Sequence, residues 1–94
     1  MEISLVVFVD VDDTLVRSFG SKRISMSRGI DRVKRLHAEG HSLYLWSMGG
    51  AEYARQSAIE LGIEELFVQF LPKPNLMIDD QPVSEWRECS HEYP

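Results

Sequence analysis

Apolar positions along this chain follow two rhythms, one of continuous runs and one of helical spacing. From Ile3 to Val9 the run ISLVVFV is almost unbroken and rich in β-branched residues. Such a run predicts a strand buried on both faces, as in a parallel sheet flanked by helices. It stops at Asp10. Residues 16–26 mix Gly20, serines and basic side chains without a period, and read as a loop or small hairpin, a short flap. Ser27 is placed to cap a helix, in which Ile30, Val33, Leu36 and His37 recur at helical spacing and Gly40 ends the pattern. Ser42–Trp46 (SLYLW) reads as a second strand. Gly49-Gly50 breaks the chain, and Tyr53, Ala54, Ser57, Ala58 and Leu61 mark a second amphipathic helix ending at Gly62. Leu66–Leu71 (LFVQFL) predicts a third strand, and Pro72 and Pro74 bracket Lys73 in a turn. Leu76–Ile78 predicts a short fourth strand that ends at Asp79-Asp80. Residues 83–90 have room for one or two helical turns, and the last residues are expected to fray.

The order strand–helix–strand–helix–strand–strand predicts an α/β layered fold with a mainly parallel sheet and right-handed crossovers. With 94 residues, the sequence reads as a single domain spanning 1–94, with a flap at 16–26 and a short C-terminal segment at 83–94. At 44% hydrophobic and 27% charged residues it reads as a globular protein, and nine aromatic residues argue against disorder. The single Cys89 excludes an internal disulfide framework and suits a reducing compartment. No apolar run approaches the ~20 residues of a membrane span. Glu2 stands where a secretory leader would carry positive charge, so no signal peptide is read and a cytoplasmic location is expected.

Charge changes the picture because it is uneven. Residues 17–35 hold seven cations against Asp31, a local balance of +6, so the other 75 residues carry −11 of the net −5. Arg32, Lys34 and Arg35 fit a solvated helix face, whereas Lys22 and Arg23 fit a guide for an anionic substrate. No nucleic-acid module is recognisable, and the net acidity argues against general nucleic-acid binding.

The polar residues fall at strand ends. Asp10, Asp12, Asp13 and Thr14 follow the first predicted strand and Ser47 follows the second. Lys73 precedes the fourth, and Asp79 and Asp80 follow it. In open parallel sheets such ends line the ligand crevice. Five carboxylates in one crevice would repel one another. A divalent cation relieves that conflict, and all-oxygen donors completed by water suit Mg²⁺. His37, His41 and His91 have no Cys at metal-binding spacing, so no zinc site is expected.

These residues resemble the motifs of the haloacid dehalogenase superfamily. Asp10-Val11-Asp12-Asp13-Thr14 after an apolar strand is similar to its D-x-D-x-T motif. Ser47, Lys73 and Asp79-Asp80 resemble its second, third and fourth motifs, in the same order. The likeness covers essentially the whole chain and implies a small three-layer Rossmann-like core. It implies that Asp10 is a nucleophile forming an aspartyl-phosphate and that Asp12 is the general acid and then the base. Thr14, Ser47, Met48, Gly49 and Lys73 would bind the phosphoryl group of the substrate. Asp10, Asp12, Asp79 and Asp80 would hold Mg²⁺. An acid at position 12 is similar to the phosphatase and phosphotransferase members rather than to the dehalogenases. Asp13 occupies a variable position.

The spacing also departs from many relatives. Asp10 to Ser47 spans 37 positions and Ser47 to Lys73 spans 26, which leaves no room for a cap domain once a helix is counted. Only 14 residues follow Asp80, so a fifth strand is short or missing and an open sheet edge allows a homo-oligomer. The resulting expectation is a capless, Mg²⁺-dependent phosphatase acting on a phosphorylated small molecule or macromolecule end. The alternatives are a phosphate-binding or regulatory module of the same fold, with slow turnover, and a receiver-like switch. The last fits poorly, since no lone Asp ends the third strand. Tyr53, Leu61 and Trp46 read as core, and Cys89 receives no role.

Overall fold

The protein was studied as a computed structural model that describes residues 3–94. Glu2, which bears on the leader reading, lies outside the described residues. Strand β1 (Val6–Asp10) is followed by a hairpin of β2 (Val16–Phe19) and β3 (Lys22–Ser25), then helix α1 (Ser27–Ala38). Strand β4 (Ser42–Ser47), helix α2 (Ala51–Glu60) and strand β5 (Phe67–Pro72) complete the regular elements, with short 3₁₀ turns at Glu64–Leu66 and Val83–Glu85. The main sheet has the order β1-β4-β5, all parallel, and β2 and β3 form a separate antiparallel pair. This is the expected fold class, a small Rossmann-like α/β unit with a mainly parallel sheet and no cap-like extra domain. No helix among the described residues is long and apolar enough to cross a membrane.

Strand order dictates where the core lies. Successive parallel strands step in one direction across the sheet, and right-handed crossovers therefore carry both helices to the same face. The core on that face gathers Val9 of β1, Leu43 and Leu45 of β4, and Phe67 of β5. Val33 and Leu36 of α1 and Ala54 and Ala58 of α2 complete it. Gly40 and Gly62, both at positive φ, turn the chain out of each helix.

Four expectations are corrected here. The first strand is not buried on both faces: it begins at Val6, and Val6 and Phe8 are exposed. The side chains that alternate with the core belong to the opposite face, where Phe8 packs against Tyr44 and Trp46 instead of under a third, helical layer. Ser27 is the first residue of α1 rather than its cap. Met26 holds the cap position without a side-chain bond, because the chain leaves the hairpin tethered by Met26 N–H to the Leu15 carbonyl at 2.8 Å. Leu76–Ile78 forms no strand and all three side chains are exposed, so the edge of β1 away from β4 has no partner among the described residues. The last residues fold back instead of fraying, since Glu92 pairs with Arg32 of α1.

Candidate active site

Asp10 ends β1, and the chain then turns tightly. The amides of Leu15 and Val16 donate to the Val11 carbonyl at 2.9 and 3.2 Å, and Asp13 N–H donates to the Val16 carbonyl at 2.7 Å. Asp13 adopts φ 62°, a left-handed conformation that Asp tolerates better than most residues. Its side chain is exposed. Val11 and Leu15 are fully buried and anchor this loop from below, which leaves Asp10 half-buried and Asp12 exposed above the core. Helix α1 seals the loop from the side. A Cβ added at Gly29 would lie 2.0 Å from the Thr14 carbonyl oxygen, so only glycine allows this approach.

Ser47 ends the central strand and is buried. Its Oγ accepts a bond from Gly49 N–H at 3.0 Å, which leaves the hydroxyl proton for another acceptor. Its carbonyl accepts from Gly50 N–H at 3.1 Å and from Lys73 N–H at 2.9 Å. That last bond fixes Lys73 immediately beyond β5. From there the side chain reaches over β4, passing the Trp46 ring at 5.9 Å from its centroid, and sets Nζ 3.0 Å from Asp10 Oδ1. Asp10, Ser47 and Lys73 thus come from the ends of three neighbouring strands to one edge. Thr14 and Trp46 line the same groove as Asp10 and Lys73. Met48 is exposed in the turn after Ser47, beside Gly49.

Asp12 has a partner that the spacing pattern concealed. Tyr53, read as a core residue of α2, donates its hydroxyl to Asp12 Oδ1 at 2.7 Å. The bond to Asp12, reinforced by partial burial and by the Asp12 charge, raises the Tyr53 pKa above its usual value, against the opposing influence of Arg23 and of a hydrogen bond with Ser57. Arg23 donates to the Tyr53 hydroxyl at 3.1 Å, to Ser57 Oγ at 2.9 Å and to Glu60 at 2.5 Å. The hairpin residue expected to guide an anion is therefore tied to α2, while Lys22 stays exposed. A signal for Tyr53 was present: a phenol, unlike Phe, carries a polar end that needs a partner when half-buried.

The structure does not bring Asp79 and Asp80 into this assembly. Both are exposed in the segment after Lys73, and Asp79 Oδ1 accepts from Gln81 N–H at 2.9 Å in a local turn. Among the described residues no three His, Cys, Asp or Glu side chains are grouped to hold a metal ion. The donor chemistry at the β1 end is nonetheless all-oxygen. Mg²⁺ commonly takes one or two carboxylates and keeps several waters, and the oxygen donors of Asp10 and Asp12 are of that chemistry.

A family model described as a protein of unknown function (DUF705) matches residues 1–88. No curated protein and no solved structure matches the chain.

Proposed function

The chain belongs to this DUF705 family, and from that premise we propose that it is a Mg²⁺-dependent phosphohydrolase of the haloacid dehalogenase type, with Asp10 as its nucleophile. The observation that carries this reading is the 3.0 Å contact of Lys73 Nζ with Asp10 Oδ1, made across the strand that ends in Ser47. A lysine in that place neutralises a carboxylate that must approach a phosphate dianion.

In the proposed cycle Asp10 attacks phosphorus, the bond to the leaving oxygen breaks, and Asp12 delivers its proton to that oxygen. Water, deprotonated by the same carboxylate, then attacks phosphorus and releases phosphate and free Asp10. Ser47 offers its hydroxyl proton, and the turn through Met48 and Gly49 leads into the first amides of helix α2 from Ala51 onward, where an anionic oxygen is favoured. Thr14 lines the approach to Asp10. Tyr53 positions Asp12 by the bond described above. Asp10 and Asp12 would hold Mg²⁺, whose contribution would be to offset charge on the phosphoryl oxygens.

The test is Mg²⁺-dependent phosphate release from an aryl phosphate, run on wild type and Asp10→Asn in parallel. Release that falls at least about 10³-fold in a folded Asp10→Asn protein is expected. A fully active Asp10→Asn protein would exclude the mechanism. The exposed Asp79-Asp80 pair favours a second reading, a phosphate-binding or regulatory module with little turnover. Saturable binding of a phosphorylated ligand without phosphate release would select it.

A further inference from the structure

A groove of about 590 Å³ leads away from Asp10 and Lys73, and segment 88–94 lies along it. Near the nucleophile it is lined by Thr14 and Trp46. Farther on its walls are apolar, formed by Val7 and Phe8 of β1 with Val33 and Leu36 of α1. Gly29 of α1 borders it as well, and farther along the same helix stands Arg32. Arg32 also borders a second depression of about 250 Å³, shared with Arg28 and Arg35.

Arg32 is occupied by a carboxylate of the chain itself. Its Nε donates to Glu92 Oε2 at 2.7 Å and its NH2 to Glu92 Oε1 at 3.1 Å. This two-pronged geometry is how guanidinium groups recognise carboxylates and phosphates in ligands. Both partners are substantially exposed, at 38% and 62%. Exposed ion pairs contribute little to stability, so this one opens readily to a competitor. A tethered carboxylate nevertheless competes at an effective concentration that is roughly millimolar.

We propose that Arg32 is a substrate-binding residue, and that Glu92 is an internal stand-in for a second anionic group carried by the substrate. The substrate class is a phosphomonoester whose leaving group has an apolar body ending in a carboxylate or phosphate. Its phosphoryl group sits at Asp10 and Lys73, its body lies against Val33 and Phe8, and its far anion displaces Glu92 from Arg32. Segment 88–94 then acts as a strap that only doubly anionic esters release. This inference rests on the phosphohydrolase reading for its chemistry and on the groove for its geometry.

The experiment compares para-nitrophenyl phosphate with para-(carboxyalkyl)phenyl phosphates of increasing chain length, and with their phosphonate-ended counterparts, which separates the two kinds of anion. Glu92→Gln is expected to raise kcat/KM for the best doubly anionic ester about tenfold relative to para-nitrophenyl phosphate. Adding Arg32→Gln is expected to remove that gain. Glu88 lines the same groove, so the Glu88→Gln/Glu92→Gln double variant guards against its taking over the latch. A ratio unmoved in both the single and the double variant, or a gain that survives Arg32→Gln, overturns the proposal. Calorimetric titration of Asp10→Asn protein with the same esters reads binding without turnover. Tighter binding on adding Glu92→Gln, lost again on adding Arg32→Gln, supports the latch even when wild type releases no phosphate, an outcome that counts against hydrolysis alone. Equal affinities in all these proteins overturn the latch even where hydrolysis is brisk.

Discussion

The two halves of the candidate site are held in different ways. Asp10, Asp12, Ser47 and Lys73 stand at the ends of β1, β4 and β5, each tied to something rigid. Asp79 and Asp80 belong to the segment after Lys73, where Leu76, Met77 and Ile78 are exposed and no ladder forms. The same residue types thus differ in how well they are fixed because of what precedes them. A strand paired on its flank sets the position of its last residue to within the geometry of its hydrogen bonds. A short apolar triplet with an unpaired neighbour sets nothing until it finds a partner.

The largest effect tests the rigid half directly. Gly29→Ala would drive a Cβ to 2.0 Å from the Thr14 carbonyl, against backbone that the Val11 and Leu15 anchors hold in place. Overpacking of this kind is expected to cost about 3 kcal/mol in urea unfolding. A cost under about 1 kcal/mol would mean that the D-x-D-x-T loop yields, and the contrast between the halves would fail. Lys73→Ala follows. Removing one preorganised charge from a phosphoryl site is expected to lower kcat about 10²-fold, with unfolding free energy little changed because Lys73 is partly exposed.

Tyr53→Phe is smaller and sharper. It deletes the bond to Asp12 and the acceptor of Arg23 while leaving the ring packed. A loss of about 1 kcal/mol or less is expected in stability. The pH dependence has a definite sign. Because the folded Tyr53 pKa is raised, its contribution is complete below the ordinary value of 10.0 and is lost as pH climbs through the raised one. Wild type and Tyr53→Phe should therefore converge in stability at strongly alkaline pH. A gap that stays constant there would show that the hydroxyl has no part in holding Asp12.

These contrasts also explain what was legible in the sequence. β-branched and aromatic runs announced β1, β4 and β5, and the residues just after those runs became the strand-end half of the site. Tyr53 packs on the core as its spacing predicts, but helical spacing reports only which face a residue occupies, not whether its polar end meets a residue 41 positions away. Strand β1 was misread because an unbroken apolar run looks alike whether its second face meets a helix or the aromatic trio of Phe8, Tyr44 and Trp46. Leu76–Ile78 carries strand composition, but pairing is a property of two segments and cannot be read from one.

The smallest expected effect bears hardest on the comparison. Ile78 is 93% exposed, so Ile78→Ser should alter stability by no more than about 0.5 kcal/mol. The substitution removes a β-branched apolar residue immediately before Asp79 without touching the Lys73–Asp10 pair. A cost above about 1 kcal/mol in thermal or urea unfolding would mean that the side chain is buried in solution. The outer edge of β1 is unpaired among the described residues, and docking of this segment as a strand there would erase the distinction between a fixed and an unfixed half. A null effect keeps the distinction, and it assigns the positioning of Asp79 and Asp80 to whatever ligand or partner their carboxylates meet.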